Sequence, residues 1–341
     1  MKHNSSSIIA LSLCLSFLNF SSAAQADGSV SCDSEKSTIA FSNLSKIEEP
    51  CHFVRVIVFA DGIEMNVPNL GQSLIQADLL TSGIEQEKVV WQNLDGTIGA
   101  SFLGEVNGFA MNQVKEANLF GWSLVDGGGG AAPDPGCAFT SFQENGYRHG
   151  EAYNWWYKSA GESSAVALSR VKEAVDQWRF PKNRCNLESF ATNFKASFMG
   201  STGTNSTMTL PGGCSTQTDN KNLISWGALP ADTLGRTCTL VDNYQGLIIE
   251  TDIRLKLFSP TAQSFFDLSD TSICGVGDYL LVTTVAHEVG HAIGLAHADP
   301  SSRQLMSPNS PECTHDFVGL APGDYLGLKQ HYGVKGLYEA V

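Results

Sequence analysis

His287-Glu288-Val289-Gly290-His291-Ala292-Ile293-Gly294-Leu295-Ala296-His297 is the stretch on which the reading of this chain turns. Before it, Leu281, Val282, Val285, Ala286, Val289, Ala292 and Ile293 recur at helical spacing. That stripe predicts a buried helix over 278–294, with Asp278 placed to cap it. On such a helix His287 and His291, four residues apart, stand about 40° from one another on one face, so two imidazoles can share an ion. Gly294 follows three residues later, where a residue able to take positive φ ends the helix and turns the chain back. The turn returns His297 as a third ligand. Three neutral nitrogens without a thiolate suit one Zn²⁺, and a set of three leaves a coordination position for water, the mark of a catalytic zinc. Glu288, beside the first ligand, is placed to handle protons rather than to coordinate. Zinc lowers the pKa of water from 15.7 toward ~7, and a carboxylate there can take its proton as the oxygen attacks a peptide carbonyl.

HExxH alone arises easily on any amphipathic helix. The five fixed positions of HExxHxxGxxH are rarer, expected by chance in about 1 in 10⁴ to 10⁵ proteins of this composition. The motif is therefore read as a site. Leu305-Met306-Ser307-Pro308 comes next, with Met306 nine residues beyond His297. Together these residues resemble the metzincin clan of zinc peptidases, whose extended histidine motif is followed by a methionine turn. The resemblance implies that Met306 supports the metal site from below without ligating it. Residues 320–333 (LAPGDYLGLKQHYG) resemble the terminal helix of the matrixins. The order of strand 151–158, helix 163–178 and strand 247–258 is also that of a matrixin-like catalytic domain. The implied fold class is α+β: a twisted mixed sheet with an active-site helix and a C-terminal helix, preceded by a smaller N-terminal segment. Further strands are expected at 53–59, 190–199 and 222–226. An extended substrate is expected to pair with the edge of strand 247–258.

Departures from the matrixin pattern are plain. Ala298 follows the third ligand where Ser or Thr is usual, and Asn309 replaces a tyrosine that shapes the pocket wall. No structural zinc or calcium loop is recognisable, so Ca²⁺ is left open and not indicated. The latency motif PRCGxPD has only Pro135-Gly136-Cys137 as a faint counterpart, and Cys137 is read as a disulfide partner rather than a switch.

Residues 1–26 have the layout of a secretory signal peptide: Lys2 and His3, an apolar run from Ile8 to Phe20, then Ala24-Gln25-Ala26. The run is shorter than the ~20 residues that span a bilayer. A secreted protein, extracellular or periplasmic, is expected. Removal of the signal takes Cys14 with it and leaves eight of the nine cysteines. An even number in an exported chain suggests disulfides, here expected between sequence neighbours, including Cys274 with Cys313. The formal charge is −14, which disfavours nucleic acid and anionic membranes as partners. Protein or peptide substrates remain, and oligomeric state is not readable.

The glycine-rich stretch Asp126–Gly136 divides the chain. Residues 27–135 are read as a pro-segment or accessory domain, and 136–341 as the zinc metallopeptidase catalytic domain. The sequence thus points to a secreted zinc-dependent endopeptidase. The contrasting reading is a secreted binding or adhesion module stabilised by zinc, against which the intact Glu288 and the open fourth position speak.

Overall fold

Tyr153, Trp155 and Tyr157 are buried while Asn154, Trp156 and Lys158 are only half-buried, the period of two that lays one face of a strand on a core. Around this strand the chain builds a mixed sheet. The computed structural model describes residues 38–42, 54–82, 87–102, 115–116, 135–159, 165–181, 183–185, 187, 190–209, 213–257, 266–267, 278–312 and 319–334. The expected signal peptide, most of the glycine-rich stretch, Cys32, Cys51, Cys274 and Cys313 lie outside the described residues.

In chain order the strands before the first helix are β1 (Thr38–Ala40), β2 (Val56–Val58), β3 (Glu64–Asn66), β4 (Gln72–Leu80), β5 (Lys88–Gln92), β6 (Ile98–Phe102), β7 (Lys115–Glu116), β8 (Ser141–Glu144) and β9 (Tyr153–Lys158). After α1 (Ala165–Arg179) come β10 (Ala196–Ser201), β11 (Asn222–Gly227), β12 (Thr233–Asp242), β13 (Leu247–Lys256), β14 (Phe266–Asp267) and β15 (Tyr279–Leu280). Helix α2 (Leu281–Ala292), β16 (Leu295–Ala296) and α3 (Pro322–Tyr332) complete the described elements. Eight strands form one sheet in the order β10-β9-β11-β13-β12-β4-β5-β6. The first four of these pair in parallel, and every pairing from β13–β12 onward is antiparallel.

Helix α1 carries Ala167, Val171, Ala174, Val175 and Trp178 on its buried face, and Trp178 Nε1 donates to the Ala286 carbonyl of α2 at 2.7 Å. The two helices share a core with Ile224, Ile253 and Leu255 of the sheet. Another core gathers Ile57, Phe59, Met65 and Val67 with Leu74, Val90, Cys238 and Leu240. Leu74 and Ile75 are neighbours in β4 yet belong to different clusters, because successive strand residues face opposite sides of the sheet. Disulfides Cys137–Cys185 and Cys214–Cys238 join the sequence neighbours expected to pair.

Four differences from the sequence reading matter here. Helix α2 begins at Leu281 rather than near Asp278, and its N-cap is Leu280, extended and without a side-chain cap hydrogen bond. Residues 279–280 are instead held by parallel pairing with β14. The strand expected over 190–199 forms later, at Ala196–Ser201. Strand β13, expected to offer its edge to substrate, has β11 on one side and β12 on the other, so it has no free edge. Finally, β4, β5 and β6, all before residue 135, join β9 to β13 in one sheet.

Candidate metal centre

Helix α2 is buried along its whole length, so its polar side chains need partners inside the protein. His287 Nδ1 is 2.7 Å from the Leu305 carbonyl, and His291 Nδ1 is 2.9 Å from the Leu295 carbonyl. A carbonyl oxygen only accepts, so both Nδ1 atoms carry the proton and both Nε2 atoms present lone pairs. Those Nε2 atoms lie 2.9 Å apart, and His297 Nε2 is 3.3 Å from that of His287. Nitrogen ligands each ~2.0–2.1 Å from a tetrahedral zinc stand about 3.3 Å from one another, close to this spacing. Burial pushes His287 down to about 4, and it holds His291 and His297 well below the ordinary imidazole value, with mutual repulsion adding to it. Three neutral imidazoles whose Nε2 atoms converge, two of them with facing lone pairs, are a donor set that fits a divalent cation.

Gly294 makes the return of His297. Its φ is +104°, and a Cβ there would meet the Tyr147 carbonyl oxygen at 2.0 Å. Only glycine fits both the turn and the contact. The backbone N–H of His297 then donates to Glu87 Oε1 at 2.7 Å. The same oxygen lies 3.4 Å from His297 Nδ1 and 3.5 Å from His291 Nδ1, behind the faces that converge. Burial pushes the Glu87 carboxyl up to about 8.

Below the histidines, Met306 Sδ packs against the helix backbone where Gly290 has no side chain; a Cβ on Gly290 would meet it at 2.2 Å. The Met306 segment is tied at both ends. Ala298 N–H donates to the Met306 carbonyl at 2.8 Å. Asp324, from the first turn of α3, accepts the backbone N–H groups of Leu305 (2.8 Å), Met306 (3.1 Å) and Ala321 (3.0 Å). Because Leu305 supplies the carbonyl that orients His287, Asp324 steadies that imidazole through one intermediate residue.

Glu288 lies fully buried against β12. Thr237 Oγ1 donates to its Oε2 at 2.5 Å, and Oε1 has no hydrogen-bond partner. Burial raises the carboxyl well above its ordinary value, while Thr237, the Leu79 backbone amide and the Arg236 guanidinium favour the ionised form. The carboxyl fits because Gly235 is opposite: a Cβ there would lie 2.4 Å from Oε1. His331 is engaged elsewhere, between the Tyr147 carbonyl and Glu144.

The structure therefore brings together His287, His291 and His297, with Glu288, Gly294 and Met306 around them. The sequence reading did not include Glu87, Gly235, Thr237 and Gly290. Asp324, which holds the Leu305–Met306 backbone, lies in the 320–333 stretch that was read only as a terminal helix. Among the described residues, these three histidines are the one cluster of His, Cys, Asp and Glu side chains close enough to share a metal.

Residues 228–333 match the peptidase family model described as Matrixin. That stretch, from just before β12 to the end of α3, is a matrixin-like region of the metzincin type, and it contains all three histidines. The curated proteins return no match to the chain.

Proposed function

We propose that this matrixin-like protein is a zinc-dependent endopeptidase in which His287, His291 and His297 hold the ion and Glu288 is the general base. The observation that carries the reading is the pair of facing Nε2 lone pairs 2.9 Å apart in a buried site, with a third imidazole beside them. Neutral acceptors so placed repel one another, and a cation turns that repulsion into binding. A zinc ion held there supplies Lewis acidity, polarising the peptide carbonyl and making a water acidic enough to attack near neutral pH.

The chain's own residues do the rest. Glu288 takes the proton of the attacking water at its unpartnered Oε1 and passes it to the departing amide nitrogen. Thr237 holds Oε2, so the carboxyl keeps one oxygen in place and one available. Glu87 and the Leu305 and Leu295 carbonyls orient the imidazoles, and Met306 fills the space beneath them.

The ligands, the base and the turn all come from residues 136–341, with Glu87 and β4 added from the segment 27–135. Secretion after loss of residues 1–26 agrees with the two disulfides. Among the described residues no helix is long and apolar enough to cross a membrane. Proteins or peptides are the substrates; the acidic surface disfavours nucleic acid and anionic membranes.

The test is metal analysis combined with cleavage of a peptide library. We expect one zinc per chain, cleavage abolished by a chelator, and a Glu288→Gln protein that keeps zinc but loses about 10²–10⁴-fold in rate. Full cleavage by Glu288→Gln, or zinc binding that survives loss of all three histidines, would rule the reading out.

A further inference from the structure

Helix α2 ends between the second histidine and the third, so helical hydrogen bonding runs out where the chain must be placed most closely. The N–H groups of Ile293 and Gly294 still reach back into the helix, to the carbonyls of Val289 and His291, each at 3.0 Å. The carbonyls of Ala292, Ile293 and Gly294 are met from outside it. His149 Nε2 donates to Ala292 at 2.9 Å, the Tyr332 hydroxyl to Ile293 at 2.8 Å, and the Asn145 N–H to Gly294 at 3.0 Å. Tyr332 Oη also accepts the His149 N–H at 3.3 Å, which ties two of these donors together.

The end of α3 supplies a second hold on the same turn. Gly294 lies so close to the Tyr147 carbonyl that no Cβ fits, and His331 Nε2 donates to that carbonyl at 2.8 Å. Nδ1 of the same ring is 3.3 Å from Glu144, which pairs with Leu295 across β8 and β16. At its other end α3 holds the Leu305 backbone through Asp324. One helix therefore reaches both stretches that place the imidazoles, 305–306 from its start and 293–295 from its end.

Beyond the turn, the Leu295 carbonyl accepts from His291 Nδ1 at 2.9 Å, and His297 follows two residues later. The residues between are fixed by strand pairing, Leu295 with Glu144 and Ala296 with Gln143. A shift at Ile293 is thus passed on to the orientation of His291 and to the arrival of His297 alike.

We propose that Tyr332 is a positioning residue for the metal centre: its hydroxyl fixes the Ile293–Gly294 peptide, and with it the spacing of the second and third imidazoles, while His331 holds the opposing Tyr147 carbonyl. The inference rests on the reading of the three histidines as ligands. The Tyr332 ring packs against Phe194, with centroids 5.0 Å apart, and phenylalanine would keep that contact. Loss of the hydroxyl alone leaves the Ile293 carbonyl and the His149 N–H each short of a partner.

The experiment uses the full chain stripped of metal. Zinc affinity is measured against a chromogenic chelator, cobalt replaces zinc to give a visible absorption band, and denaturant unfolding of the metal-free protein reports stability. Tyr332→Phe should bind zinc about ten-fold more weakly and, at saturating cobalt, show a band displaced from that of the wild type. His331→Leu should also weaken binding, and His331→Gln, which keeps a donor for the Tyr147 carbonyl, should recover most of it. Ile57→Val, in the other core, should lower stability and leave affinity and band unchanged. Wild-type affinity and band in Tyr332→Phe overturn the inference and leave the ligand reading standing. A loss of affinity that Ile57→Val reproduces also overturns it, because affinity would then follow stability alone. Should Tyr332→Phe fail to fold, the His331 pair decides, and equal affinity in His331→Leu and His331→Gln overturns it. Zinc binding that survives loss of all three histidines overturns the ligand reading, and this inference with it.

Discussion

The Thr237 hydroxyl donates to Glu288 Oε2 at 2.5 Å and also lies 3.1 Å from the Glu288 backbone carbonyl, so one β12 side chain holds both ends of Glu288, the proposed base. The hydroxyl stabilises the ionised carboxyl that a general base requires. Thr237→Val keeps the shape and removes the donor. We expect kcat to fall about ten-fold with KM little changed, since the lost bond, worth about 1.5 kcal/mol to a charged acceptor, acts on the base rather than on substrate binding. Steady-state kinetics of the zinc-loaded variant check it, and an effect confined to KM would refute it.

Gly235 and Gly290 test how closely helix α2 sits between β12 and Met306. An added Cβ at Gly235 would lie 2.4 Å from Glu288 Oε1, so Gly235→Ala must displace the carboxyl. An added Cβ at Gly290 would lie 2.2 Å from Met306 Sδ and 2.9 Å from Trp178. Gly235→Ala should retain zinc and lose at least ten-fold in kcat. Gly290→Ala should lower stability by about 1–3 kcal/mol through overpacking. Metal content and chemical denaturation separate the two effects, which arise on opposite sides of one helix.

Much of this was legible beforehand. Strands β9, β11 and β13 and helices α1 and α2 show their period in the chain, α3 followed from its resemblance to the matrixin terminal helix, and the three histidines announce themselves by spacing. Strands β4 and β12 do not. All but one residue of each is buried, because both faces of the sheet are covered there, and the alternation that reveals a half-buried strand disappears. Asp78 and Arg236 also look like surface residues until their pairing is seen. Strand order is a tertiary property, so β13 read as an edge while β12 and β4 went unseen. Glu87 was hidden for the same reason: it reaches His297 across 210 residues of chain.

Glu87 supports His297, the proposed third ligand, from a part of the chain with no motif. Its Oε1 accepts the His297 N–H, and Glu87→Ala leaves that buried donor alone. Zinc affinity should fall about 10–100-fold, the usual scale for a partner behind the ligands, while Glu87→Gln, which still offers an oxygen, should fall less. Competition with a chromogenic chelator measures both. Equal affinity in wild type and Glu87→Ala would show that the bond does not position His297.

Two buried groups give the fold opposing responses to acid. Burial raises Asp324 from 3.8 to about 6 despite three backbone N–H donors and nearby Arg184. Its folded form holds a proton that the unfolded chain releases, so its contribution is greatest below about 4 and falls, by about 3 kcal/mol, as pH rises through 6. His149, whose Nε2 is 2.9 Å from the Ala292 carbonyl, is pushed down from 6.5 to about 4 by burial, with a smaller push from His331. The unfolded chain takes up that proton first, so this contribution is present above 6.5 and is lost as pH falls through 4. In the wild type the two slopes oppose each other between about 4 and 6. Asp324→Asn removes one and exposes the other: relative to wild type, the variant should lose stability more steeply as pH falls, by about 1.4 kcal/mol per pH step. His149→Gln should do the reverse and gain relative stability toward pH 4. Denaturant titrations from pH 4 to 7 on metal-free protein measure both differences, and parallel curves for the three proteins would mean that neither group titrates in the folded state as its burial requires.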